Sequence, residues 1–137
     1  LDLPPKPPAA NALPQPARLG LARQPVSSAD VWLYHKTTRR EVYEAARAGQ
    51  ADCDEVALWN ERGELTEATA SNLVLALDGR AWTPPVSAGL LAGTLRAQLL
   101  AAGEIAERTL TPEDLRRAES VWLSNSVRGW QAARFVD

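Results

Sequence analysis

Apolar and polar positions along the chain change period several times, and the changes predict alternating strands and helices. Arg18-Leu19-Gly20-Leu21-Ala22-Arg23 alternates weakly and predicts a first strand, ended by Gln24-Pro25. Ser27-Ser28-Ala29-Asp30 is turn chemistry, and the apolar run Val31-Trp32-Leu33-Tyr34 then leads to His35 and Lys36. Thr37 or Thr38 can cap a helix, with Glu41 placed as the capping-box partner of Thr38. That helix should run through Val42, Tyr43 and Ala46 and stop near Gly49. Asp54 to Trp59 predicts a buried strand, Asn60-Glu61-Arg62-Gly63 a hairpin turn, and Glu64 to Glu67 the start of the return strand.

The strongest strand pattern is Asn72-Leu73-Val74-Leu75-Ala76-Leu77, closed by the hairpin signal Asp78-Gly79 into Ala81-Trp82-Thr83. Pro84-Pro85 ends that hairpin. Leucines at 95, 99 and 100 predict a helix over 93–102 that stops at Gly103. Glu104 to Leu110 alternates like a half-exposed strand. Thr111-Pro112-Glu113-Asp114 is a helix start, with proline in the first turn and acids beside it. Ser120 to Ser124 and Gly129 to Val136 predict two final strands, joined through Asn125-Ser126-Val127-Arg128. The pattern is that of an α/β domain. It lacks a Gly-x-Gly-x-x-Gly fingerprint, which argues against a dinucleotide-binding fold.

Composition narrows the function. A chain of 137 residues with 45% hydrophobic content can bury one core, so one domain is expected. Seven of the ten prolines fall in the first 25 residues, and residues 1–17 read as a Pro-rich linker ahead of a domain over 18–137. The chain opens on Leu1 and contains no methionine, which suggests a piece of something longer. A net charge of −2 with scattered basic residues argues against nucleic acid as a partner. No apolar run approaches a membrane span, which needs about 20 residues. A single cysteine, Cys53, excludes an internal disulfide framework and suits a reducing compartment, so a cytoplasmic protein is expected. His35 is the one histidine, and without a cluster at ligand spacing no metal site is expected.

Three groups in this order suit pyridoxal 5'-phosphate. An amine can form a Schiff base with its aldehyde, a carboxylate can keep its ring nitrogen protonated, and backbone N–H groups at a helix start can cradle its phosphate. Most lysines are surface groups. Lys36, however, follows an apolar run, and desolvation at the end of a buried strand would lower its pKa and release the neutral nucleophile. Glu67 is followed by small polar residues, Thr69, Ser71 and Asn72, where a core strand would be apolar. Gly93-Thr94-Leu95 opens a helix after an extended approach, and Ser124-Asn125-Ser126 closes a strand with further polar groups.

His35-Lys36-Thr37-Thr38-Arg39-Arg40, Glu67-x-Thr69-x-Ser71-Asn72 and Leu91-x-Gly93-x-x-Arg96 together resemble the class IV pyridoxal-phosphate enzymes. These include branched-chain aminotransferases, D-amino-acid transaminases and 4-amino-4-deoxychorismate lyases. The resemblance covers roughly residues 18–137 and corresponds to the larger, C-terminal domain of that fold. It implies a mixed, barrel-like sheet with helices packed outside it. It also implies that Lys36 carries the cofactor and shuttles a proton, and that Glu67 pairs with the ring nitrogen. Backbone N–H groups of Thr94 and Leu95, after Gly93, would bind phosphate with help from Asn125 or Ser126, while Ser71 and Asn72 line the site. The His-Lys-Thr-Thr-Arg-Arg run is most similar to the lyase part of bifunctional p-aminobenzoate synthases, which release p-aminobenzoate and pyruvate from aminodeoxychorismate for folate synthesis. An aminotransferase acting on branched-chain or D-amino acids, and a non-catalytic packing or dimerisation domain, are the alternative readings. The small N-terminal domain of the family has no counterpart in residues 1–17, so residues 1–137 alone are expected to be nearly inactive. A homodimer with an exposed apolar patch is expected as well.

Overall fold

The structure is a computed structural model that describes residues 16–29 and 41–136. Lys36 and its neighbours His35, Thr37 and Thr38 lie outside the described residues, as do Trp32 and most of the Pro-rich start. In chain order the elements are β1 (Ala17–Leu21), α1 (Glu41–Ala48), β2 (Glu55–Trp59), β3 (Leu65–Ala68), β4 (Asn72–Leu77) and β5 (Arg80–Thr83). A 3-10 turn (Val86–Ala88) leads to α2 (Thr94–Ala101), β6 (Ala106–Glu107), α3 (Pro112–Arg117), β7 (Ser120–Asn125) and β8 (Gly129–Phe135).

All these strands join one mixed sheet in the order β3-β2-β1-β8-β7-β4-β5-β6. β1 runs parallel to both β2 and β8, and β5 runs parallel to β6; the other neighbours are antiparallel. β3 and β4 are far apart in that order yet successive in the chain. The short turn between them brings the two ends together, with the Ala68 N–H donating to the Ser71 carbonyl at 2.8 Å. The sheet therefore curls into a half-barrel, as the family resemblance implied.

Side-chain alternation sets two apolar layers on this sheet. Leu73, Leu75 and Leu77 of β4 point inward and meet Ala17, Leu19, Ala57, Leu65, Val121 and Leu123. Val74, between them, points outward and packs with Ala81, Leu99, Ile105 and Trp130 beneath α2. Burial on both faces is why β4 reads as a continuous apolar run rather than an alternation. On the far side, Val42, Tyr43 and Ala46 of α1 cover Ala22, Val56 and Leu58. α1 and α2 thus lie outside the sheet as expected. α3 differs: its Leu115, with Leu110 before it, joins the inner cluster and closes that layer.

The turns follow their local chemistry. Asp78 and Gly79 both take positive φ (55° and 77°), which gives the tight two-residue hairpin between β4 and β5. Asn60 Oδ1 accepts from the N–H groups of Arg62 and Glu64, and Gly63 takes φ 75°. Thr111 and Asp114 form a reciprocal capping box at the start of α3. The segment 104–110 departs from its expected strand. Only Ala106 and Glu107 pair with β5, after which the Leu110 carbonyl accepts from the Leu65 N–H at 2.7 Å. The chain leaves the sheet edge there to carry Leu110 under the inner layer.

Trp59, Trp82, Trp122 and Trp130 lie on strands, Trp130 buried and the other three half-buried. Trp122 and Trp130 meet edge to face at 6.2 Å. Among the described residues the one large hydrophobic side chain left exposed is Val127, so the expected apolar patch is not found among them. Also among the described residues, no helix is long and apolar enough to cross a membrane.

Leu73 is completely buried in the inner layer. Leu73→Ala is expected to lower unfolding stability by about 2–5 kcal/mol in urea titrations. A loss near zero would mean that the inward face of β4 is not the packed one.

Candidate active site

The β3–β4 connection, residues 67–72, is buried almost throughout, and its polar side chains are held from several directions. Glu67, on β3, is 5% exposed. A carboxylate withdrawn from water to this degree requires donors. Tyr43, on α1, supplies one, its hydroxyl donating to Glu67 Oε2 at 3.0 Å. The Leu91 N–H faces Oε1 at a longer 3.4 Å.

A second acid braces the turn from below. Glu55 opens β2 and is 2% exposed. Its Oε1 accepts from the Ala70 N–H and its Oε2 from the Ser71 hydroxyl, each at 2.9 Å. Next to it, Thr69 Oγ1 accepts from the Val56 N–H at 3.2 Å. Desolvation raises the Glu55 pKa above its ordinary value; the Ala70 and Ser71 hydrogen bonds and the charges of Arg128 and Arg47 offset part of that. Sequence reasoning placed Glu55 in a buried strand and assigned it no role. An acid inside an otherwise apolar run was the available signal, because such a group must find partners when the run is buried.

Asn72 begins β4 and reaches across to the approach of α2. Its Nδ2 donates to the Leu91 carbonyl at 2.9 Å and its Oδ1 accepts from the Gly93 N–H at 3.2 Å. A Cβ on Gly93 would stand 2.6 Å from that oxygen, so any larger residue here would force the Asn72 amide to move. Gly93 is the N-cap of α2 and has no side-chain cap bond. The backbone N–H groups of Thr94 and Leu95 therefore begin a helix at which an anion would be stabilised. The Leu95 side chain turns away and packs in the outer apolar layer. Arg96 also turns away: it is 4% exposed, donates to the Pro84 carbonyl at 3.1 Å and pairs with Glu107, tying α2 to the β5–β6 edge.

Asn125 closes the ring. Its Nδ2 donates to the Ala70 carbonyl at 2.9 Å, while its Oδ1 accepts from the N–H groups of Val127 and Arg128, each at 2.8 Å. Ser126 follows on the exposed part of that turn. Glu67, Asn72 and Gly93 are thus joined through Leu91, and Ser71 and Asn125 through Glu55 and Ala70; the two sets meet where Ser71 precedes Asn72 in the chain. Thr94, Leu95 and Ser126 adjoin it along the chain. Lys36 lies outside the described residues.

A family model for class IV amino-transferases matches residues 2–135. A protein of Schizosaccharomyces pombe, provisionally named an aminodeoxychorismate lyase, is 36% identical over 121 residues, 82% of this chain and 52% of its own length. Among solved structures, a provisionally named amino-acid aminotransferase from Mesorhizobium loti superposes with a TM-score of 0.85 at 40% identity, covering 96% of this chain and 63% of that one. The 4-amino-4-deoxychorismate lyase of Pseudomonas aeruginosa superposes with a TM-score of 0.77 at 29% identity, over 89% and 48%. The chain spans about half the length of the curated relatives it matches.

Two measurements check this network. Burial makes the folded state hold the Glu55 proton more tightly than the unfolded chain does. Glu55 therefore contributes stability below its unfolded value, 4.5, and that contribution is lost as pH rises through its raised folded value. Relative to Glu55→Gln, which cannot titrate, the wild type should lose stability as pH climbs from 4.5 upward in urea unfolding. A pH-independent difference would contradict it. Gly93→Ala should destabilise by about 1–3 kcal/mol through its clash with Asn72 Oδ1. In the Asn72→Ala background the same change should cost clearly less, a non-additivity that independent sites would not show.

Proposed function

The chain belongs to the class IV aminotransferase family, and on that premise we propose that it is the cofactor-binding part of a pyridoxal-phosphate lyase that releases pyruvate from 4-amino-4-deoxychorismate and leaves p-aminobenzoate. One observation carries the cofactor reading. Glu67, a buried carboxylate with donors facing both oxygens, is linked through Leu91 to the uncapped start of α2. A ring nitrogen and a phosphate need those two features in one place. The residues present fit the group: an acid for the nitrogen, a glycine with no Cβ, and backbone donors for the anion.

When bound, pyridoxal phosphate supplies an electron sink for the pair left on the substrate's α-carbon after loss of its proton. Glu67 would hold the proton at the ring nitrogen and so keep that sink strong. Thr94 and Leu95 would bind the phosphate through their N–H groups, with help from Asn125 or Ser126. Asn72 orients this helix start, and Ser71, tied to Glu55, shapes the floor. Lys36 would hold the cofactor through its Nζ and, once displaced by the substrate's amino group, would carry the proton to and from the α-carbon.

The lyase reading is supported by the names of the Schizosaccharomyces pombe and Pseudomonas aeruginosa proteins. The Mesorhizobium loti structure favours a second reading, an aminotransferase with the same cofactor. On either reading the intact protein includes the small N-terminal domain of the family, closes its substrate pocket with it, and works as a homodimer.

Borohydride reduction of the intact protein with pyridoxal phosphate, followed by peptide mapping, should place the label on Lys36. Label elsewhere, or none, would overturn the cofactor reading. Lys36→Ala should lower turnover by at least about a hundredfold, the lower bound for losing a positioned proton carrier. Formation of p-aminobenzoate from aminodeoxychorismate, measured beside amino-group exchange with keto acids, separates the lyase from the aminotransferase.

A further inference from the structure

Tyr43 does two different things with one side chain. Its ring is half-buried and packs with Val42 and Ala46 against Ala22, Val56 and Leu58. Phenylalanine would fill that place as well. The hydroxyl adds something apolar packing does not need, a hydrogen bond of 3.0 Å to Glu67 Oε2. The bond crosses from a helix on the outer face of the sheet to a carboxylate at the head of the candidate site.

We infer that Tyr43 is a positioning residue for Glu67, whose carboxylate plane and anionic form its hydroxyl maintains so that a proton shared with a bound ring nitrogen stays on the nitrogen. The inference rests on the reading of the site as one for pyridoxal phosphate. The chemistry is a competition between two bases for one proton, with none gained or lost overall. An O–H donor to a carboxylate lowers the proton affinity of that carboxylate. The proton then resides on the nitrogen, where its charge is what makes the ring withdraw electrons. In a site removed from water the donor matters more than it would on the surface, because less solvent competes for the carboxylate. The Leu91 N–H acts in the same sense on Oε1, but at 3.4 Å its effect is weaker.

The geometry also links two parts of the sequence that chemistry must coordinate. α1 follows Lys36 in the chain, and through Tyr43 that helix touches the acid. Removing the hydroxyl should therefore disturb the proton at the nitrogen without removing either the amine or the carboxylate. A residue that served folding alone would not produce that signature.

The test uses the intact protein loaded with pyridoxal phosphate carrying heavy nitrogen in the ring, comparing wild type with Tyr43→Phe by nuclear magnetic resonance. Phenylalanine retains the ring that packs on Val56 and Leu58, so the variant should fold. The wild-type ring nitrogen is expected at the chemical shift of a protonated nitrogen, and the variant's should move toward the neutral position. Turnover should fall about tenfold with KM nearly unchanged, the size expected for a hydrogen bond to a charged group. A variant with the wild-type nitrogen shift and wild-type kcat overturns the role of Tyr43 and leaves the cofactor reading standing. Wild-type protein that binds no cofactor at Lys36 removes both.

Discussion

Two carboxylates taken out of water on either side of one short turn set the terms for the rest of this site. Glu55 and Glu67 are both almost completely buried, and they sit on adjacent strands of the curled sheet. Neither acid could be buried there without donors, and the donors come from different elements: Ala70 and Ser71 in the turn, Tyr43 on α1, Leu91 on the approach to α2. Meeting those demands draws the turn, the outer helix and the helix start into one place. The amides Asn72 and Asn125 complete the arrangement by bonding backbone on neighbouring segments. The two acids differ in consequence. Glu55 bonds to the turn and works as a brace, whereas Glu67 lies at the edge of the group, linked through Leu91 to the start of α2.

The curled sheet makes that convergence possible. β3 and β4 occupy distant positions in the sheet order but are joined by residues 69–71, and β7 pairs beside β4 with Ser124 opposite Asn72, which puts Asn125 within reach of the turn. Because β4 is buried on both faces, its direction is fixed by packing on each side. Asn72 at its first position is therefore aimed by the core rather than by a flexible loop. Precision of this kind is what a binding site on strand ends gains over one built on loops alone.

Much of the fold was legible from residue pattern. The Asp78-Gly79 and Asn60–Gly63 turns, the uninterrupted run of β4, the Thr111–Asp114 cap and the Gly103 stop each rest on interactions between residues close in the chain. The segment 104–110 was less legible, because its alternation reflected Leu110 turning under the inner layer and not a long pairing with β5. At the site, Glu67, Ser71, Asn72, Gly93 and Asn125 could be singled out by type and order, and they do converge. Tyr43 could not, and Glu55 only as an acid inside an apolar run: their importance comes from partners 15 or more residues away, and nothing local says which donors those will be.

By itself, then, the sequence determined the order of elements, the turn types, the family and which polar residues stand around the β3–β4 turn. These depend on backbone preferences and short-range hydrogen bonds that any chain of this pattern would satisfy. Only the tertiary structure decided which donor each buried carboxylate received, that Ser71 turns to Glu55, that Arg96 turns outward to Glu107, and that Tyr43 reaches Glu67. The reason is physical. A carboxylate removed from water takes the nearest available donors, and which ones are nearest is settled by how the sheet curls and not by the neighbours along the chain.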